Sequence, residues 1–121
     1  MKGSRELATL AARAASSKRA RDVVVLDVRD VIVITDYFVI CSASSDRQVR
    51  TIAEEIERAA KERGVKPVRR EGEREGRWVL LDFVDFVAHV FLEDEREYYG
   101  LERLWADAPN VGWDSRAASG E

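Results

Sequence analysis

Asp82, Asp85 and His89 are the residues whose types and spacing come nearest to chemistry in this chain. Two carboxylates and an imidazole so close in sequence suggest acid/base work or a metal site. Across a tight turn, at a spacing of three, the two aspartates need not converge, and a catalytic metal pocket gathers more ligands than this. The reading favoured is hydrogen bonding or charge complementarity at an interface, with Asp85 alternatively serving only as a turn residue. His89, alone on an apolar strand, is either a hydrogen-bonded structural residue or an interface residue, and sheet register decides which. Cys41 lies in an apolar strand with no base in prospect and is expected to be a small buried hydrophobe. Ser42-Ala43-Ser44-Ser45 could bring a phosphate to a helix N-terminus. It lacks the glycines and lysine of a phosphate-binding loop, and a helix cap alone explains Ser45.

The elements that must position these residues follow from periodicity. Leu7, Leu10, Ala11 and Ala14 recur at helical spacing, with Ser4 as N-cap and Glu6 in the first turn. Val23 to Val28 has the composition of a strand buried on both faces. Val31 to Ile34 is a second short strand or a tight connector. Thr35-Asp36 supplies turn chemistry before a strand from Tyr37 to Cys41. Ser45 and Gln48 form a capping-box pattern, and Val49, Ile52, Ala53, Ile56 and Ala60 line one helical stripe as far as Gly64. The outer face of that helix carries Arg50, Glu54, Glu57, Arg58 and Lys61, a solvated surface. Pro67 to Glu71 reads as a short strand, and the glycine-bracketed turn from Gly72 to Gly76 leads into Trp78 to Phe83. Val84-Asp85 then turns the chain into Phe86 to Leu92. A final helix is expected from Glu93 to Ala106, with Gly100 as a break and Pro109 as its end.

Alternation puts Val79, Leu81 and Phe83 on one face, and Trp78, Leu80 and Asp82 on the other. In the next strand Val87, His89 and Phe91 alternate with Phe86, Ala88, Val90 and Leu92. Both faces of the sheet are therefore largely apolar, while two long helices cover only one. Trp78, Tyr98, Tyr99 and Trp105 add more large apolar surface than one small core needs, so some of it should be exposed. These residues lie among Asp82, Asp85, Glu93, Asp94, Glu95, Glu97 and Glu102. Aromatic anchors among acids suit a basic protein partner.

Composition sets the outer bounds. The 121 residues correspond to one domain, expected over residues 1–113, with 114–121 as a disordered tail. Hydrophobic residues make up 45% and charged residues 36%, the balance of a globular chain. Twenty Lys and Arg against twenty-three Asp and Glu, a net charge of −3, argue against affinity derived from neutralising many phosphates. No direct nucleic-acid site is therefore expected, and a ribonucleoprotein would be gripped through a protein component. One cysteine excludes an internal disulfide framework. With no signal-peptide core and no run of membrane-spanning length, the expected location is cytoplasmic and no membrane partner is anticipated.

Five segments taken together resemble the ribosomal silencing factor family, also called iojap-like. They are Thr35-Asp36-Tyr37-Phe38-Val39-Ile40-Cys41-Ser42; Ser45-Asp46-Arg47-Gln48-Val49; Glu71-Gly72 with Gly76-x-Trp78-Val79-Leu80-Leu81-Asp82; Asp85-x-x-x-His89-Val90-Phe91; and Tyr99-x-Leu101-Glu102-Arg103-Leu104-Trp105-x-Asp107-Ala108-Pro109. They run in family order over about residues 5 to 109. The resemblance implies an α/β (α+β) domain with a single mixed β-sheet of about five strands packed with helices, similar to the nucleotidyltransferase fold but without catalysis. It implies binding to the large ribosomal subunit through its protein number fourteen, steric blocking of small-subunit joining, and a homodimer when free. The partner contacts carried over are Trp78, Asp82, Asp85, His89, Tyr99, Leu101, Glu102 and Trp105. No catalytic residues, metal ligands or cofactors are expected.

Independently of the resemblance, the strand where a nucleotidyltransferase would carry acidic-x-acidic metal ligands reads Asp27-Val28-Arg29. The alternatives are a metal-dependent nucleotidyltransferase-like enzyme and a dimeric scaffold with another partner. Two departures from the family pattern stand out. Val84 occupies a turn position where the family often has Gly, and Val31 to Ile34 is more hydrophobic than the usual connector.

Overall fold

The computed structural model describes residues 3–113, so the expected tail at 114–121 lies outside the described residues. A five-stranded mixed sheet with strand order β1-β2-β5-β4-β3 organises the chain. β1 (Arg21–Asp27) pairs antiparallel with β2 (Tyr37–Ala43), which pairs parallel with β5 (Phe86–Leu92). β4 (Trp78–Asp82) runs antiparallel to β5, and the short β3 (Arg69–Glu71) antiparallel to β4. The parallel β2–β5 pair requires a crossover, and the chain makes it through the longest helix.

That helix, α2 (Asp46–Glu62), buries Val49, Ile52, Ala53, Ile56, Ala59 and Ala60, the expected stripe with one addition. Ser45 caps it by accepting the Gln48 backbone N–H at 3.2 Å. The reciprocal half of the capping box does not form, because the Gln48 side chain donates to the carbonyls of Lys18 and Arg19. Gln48 thus ties α2 to the end of α1. The outer face is less purely solvated than its composition suggests. Glu57 accepts from Arg70 Nε at 2.6 Å and anchors β3 to the helix.

α1 (Ser4–Ser17) packs beside α2 through Leu7 and a run of buried alanines, whose small size permits close approach to the sheet. Ser4 is not its N-cap. Gly3 holds that position without a side-chain bond, and the Ser4 hydroxyl donates instead to Asp36 Oδ2 at 2.9 Å. Together α1 and α2 seal one sheet face over Val25, Tyr37, Val39, Cys41, Val79, Leu81, Phe86, Ala88 and Val90.

Two sequence expectations change, for β1 and for the strand from Pro67, and one open alternative is decided, for Val31 to Ile34. β1 is an edge strand that starts at Arg21, and its first half is exposed or partly covered rather than buried on both faces. Its outer edge is closed by the returning chain: Asp27 N–H donates to the Pro109 carbonyl at 2.9 Å and Val111 N–H to the Val25 carbonyl at 2.8 Å. Val31 to Ile34 is a connector, begun by a turn in which the Val31 and Ile32 N–H groups share the Val28 carbonyl. The strand expected from Pro67 shortens to Arg69–Glu71.

The final helix does break where glycine allows it. α3 (Glu93–Tyr99) ends at Gly100, at φ 56° and ψ 42°, and α4 (Leu101–Leu104) resumes for a single turn. No helix among the described residues is long and apolar enough to cross a membrane.

Candidate partner-binding face

The second face of the sheet carries the candidate site, and register lays it out as a grid. One row reads Leu26, Phe38, Val87, Asp82 and Arg69 across the five strands; the next reads Val24, Ile40, His89, Leu80 and Glu71; a third ends in Phe91 and Trp78. Leu101, Trp105 and Ala108 from the C-terminal segment pack over the β1–β2 side, against Leu26, Val28, Phe38, Ile40 and Phe91. Trp105 meets Phe38 edge-on with ring centroids 5.8 Å apart. The β4 side is left half-covered: Trp78, Leu80, Asp82 and Val87 are all partly accessible there. Tyr99, half-exposed, lies against Trp78 at 4.9 Å.

Register also settles His89. It sits on this second face but is buried, between Phe38 at 4.9 Å and Trp78 at 6.0 Å. Trp78 Nε1 donates to His89 Nδ1 at 3.2 Å. An indole nitrogen only donates, so Nδ1 is the acceptor and the neutral ring carries its proton on Nε2. Burial pushes the His89 pKa down to about 4, which keeps the ring neutral at physiological pH. His89 therefore positions Trp78, and its own surface is largely withdrawn from a partner.

The acids divide into those paired within the chain and those left partly or fully accessible. Glu102 accepts two bonds from Arg96, at 3.1 Å from Nε and 2.6 Å from Nη2. Arg96, only 10% exposed, also donates to Ser42 Oγ and to the Arg21 carbonyl, locking the C-terminal helices onto β1 and β2. Glu93 pairs with Arg21 at 2.7 Å and Glu95 with Arg77 at 3.0 Å. The acidic surface read from composition is thus partly neutralised within the chain. Asp82 Oδ1 accepts the Val84 N–H at 2.8 Å while Oδ2 lies 3.7 Å from Arg69. Asp85 is exposed at the turn, and its carbonyl accepts the Asp36 N–H at 3.0 Å.

Of the eight expected contact residues, Trp78, Asp82, Tyr99 and Asp85 lie on or beside the open half. Leu101, Glu102 and Trp105 belong to the segment covering the other half, and His89 lies beneath. Sequence reasoning passed over Leu80 and Val87, although Leu80 shares the alternation of Trp78 and Asp82. It also missed Arg96, whose pairing with Glu102 spans the Gly100 break and follows no helical spacing.

Elsewhere the chemistry is quiet. Asp27 is held by Arg29 in a two-pronged pair at 2.9 and 2.7 Å, and that guanidinium keeps its carboxyl below the usual carboxylate range. Among the described residues no three His, Cys, Asp or Glu side chains gather as metal ligands would. Cys41 is fully buried, and burial pushes its thiol up to about 12.

The described residues thus form an α+β domain with one sealed sheet face and one half-open face that has aromatic side chains at its opening. The comparisons agree in kind. Residues 1–120 match the family described as ribosomal silencing factor during starvation. The chain is 49% identical over 105 residues to the ribosomal silencing factor RsfS of Bacillus subtilis, covering 87% of this chain and 89% of that protein. It is 47% identical over 106 residues to the RsfS of Halalkalibacterium halodurans, covering 88% and 91%. A solved structure from Chromobacterium violaceum superposes with a TM-score of 0.85 at 33% identity, covering 87% of this chain and 88% of that one. The chain belongs to the ribosomal silencing factor family.

Proposed function

We propose that this protein represses translation by binding the large ribosomal subunit through its protein number fourteen and occluding the surface on which the small subunit docks. The half-open sheet face carries the reading: Trp78, Leu80, Val87 and Tyr99 form an apolar strip bordered by Asp82 and Asp85, in a chain of this family. An apolar centre with a charged rim is the usual anatomy of a protein interface, and Trp and Tyr dominate its binding energy. A standard interface takes about 800 Å² from each partner, a small share of the 7245 Å² this chain exposes. Occlusion needs a bound body in the right place and no turnover. The engagement of Asp27 by Arg29 supports a role without catalysis, because a cation would have to displace the guanidinium. The same reading includes a homodimer in the absence of ribosomes.

Co-sedimentation with purified large subunits tests the reading. The folded protein is expected in the ribosomal pellet, and its retention in the supernatant while folded would contradict it. Calorimetry with nucleotide and magnesium separates the enzyme alternative, for which binding heat is required.

A further inference from the structure

Beyond the sheet face, two turns project apolar side chains from one end of the sheet. In the β1–β2 connector Val33 is 98% exposed and Ile34 74%, and in the β4–β5 turn Val84 is half-exposed. The Asp36 N–H to Asp85 carbonyl bond, at 3.0 Å, joins the two turns into one tip. Val84 is held at φ 75°, a left-handed conformation that a β-branched residue adopts only under strain. Its neighbours close a three-residue γ-turn, Asp85 N–H to the Phe83 carbonyl at 2.9 Å, while Asp82 Oδ1 fixes the Val84 N–H. Glycine fits such a turn without strain, and serine at positions 33 and 34 would serve a solvated connector equally well. Exposed aliphatics at three such positions contribute nothing to the core, which singles them out as contacts.

Charge indicates what they meet. Segments 29–36 and 82–85 hold one arginine against four aspartates, and that arginine is occupied by Asp27. Asp30, Asp36 and Asp85 flank the aliphatic tip. Nucleic-acid phosphates and anionic headgroups are repelled by such a rim, and a symmetric tip-to-tip pairing of two copies would set like charges together. We propose that this tip is a second docking element, inserted into an apolar pocket on a cationic protein surface of the large ribosomal subunit. The tip continues the open face through Asp82 and Val87, so one rigid body engages with both. This inference rests on the ribosome-binding reading above.

The test is equilibrium binding of the full chain to purified large subunits over a series of salt concentrations. The double variant Val33→Ser with Ile34→Ser is expected to bind about tenfold more weakly, with unchanged melting temperature and unchanged self-association. Val84→Gly is expected to melt higher and bind more weakly, a combination that a merely structural role does not produce. Asp85→Asn is expected to flatten the salt dependence. If the unmodified protein fails to bind, the reading and the tip fall together. If it binds and the double variant binds equally well, the tip alone is overturned. Loss of self-association in the double variant, or a salt dependence indifferent to Asp85, likewise overturns a cationic ribosomal protein as the occupant.

Discussion

His89 shows how one buried side chain links stability to pH. Its ring is neutral in the fold, with a pKa near 4 against an ordinary 6.5. Between those values the unfolded chain holds the extra proton, so stability rises with pH and is lost as pH falls from about 6.5 to 4. The loss reaches roughly 3 kcal/mol by the conversion of a pKa shift into free energy. Urea titrations at pH 7 and pH 4.5 should show a smaller pH difference for His89→Gln than for the unmodified protein. A second residue-scale prediction concerns helix ends. α1 and α2 both end in the same pattern, in which the chain closes back through Ala20 N–H to the Ala15 carbonyl and Val65 N–H to the Ala60 carbonyl. The left-handed residue is Gly64 after α2 but Arg19, at φ 66°, after α1. Arg19→Gly should therefore stabilise the protein by about 1 kcal/mol in denaturant unfolding. Gly64 was legible as a helix end; Arg19 was not, because no side-chain pattern announces a left-handed arginine.

At the scale of elements, the decisive contact is the clamp of Arg96 and Glu102 that holds α3 and α4 over the sheet. Removing Glu102 leaves a mostly buried guanidinium short of its partner, and Glu102→Ala should cost about 1–3 kcal/mol in thermal or denaturant unfolding. Glu54→Lys on the exposed face of α2 should change stability little, which makes it the control. Local pattern explains why some elements were readable. α2 has a cap, a 3.6-residue apolar period and a terminal glycine, and all three agree. The C-terminal segment has no such consistency: Leu101 and Trp105 are fixed by packing on Phe38 and Phe91, distant in sequence. The same holds for His89, which alternation grouped with Val87 and Phe91 but whose face depended on sheet register and whose burial depended on Trp78 and Phe38 from neighbouring strands. The β1–β2 connector illustrates the converse. Its apolar composition left a strand and a connector both open, and a turn on the Val28 carbonyl makes it a connector with Val33 and Ile34 in solvent.

For the whole molecule, the unequal covering of the two sheet faces unites fold and function. Two helices seal one face, a broken helix covers half of the other, and the remainder displays Trp78, Leu80 and Val87 beside two aspartates. Leu80→Asp should weaken large-subunit binding at least about tenfold while circular dichroism shows a retained fold. The most direct measurement of the central claim is light scattering of subunit joining, with small subunits added to large subunits preincubated with the factor. Joining should be suppressed at stoichiometric factor and restored when Leu80→Asp replaces it. Joining at the full rate with the unmodified factor bound would contradict occlusion, and equal suppression by both proteins would contradict the assignment of the open face.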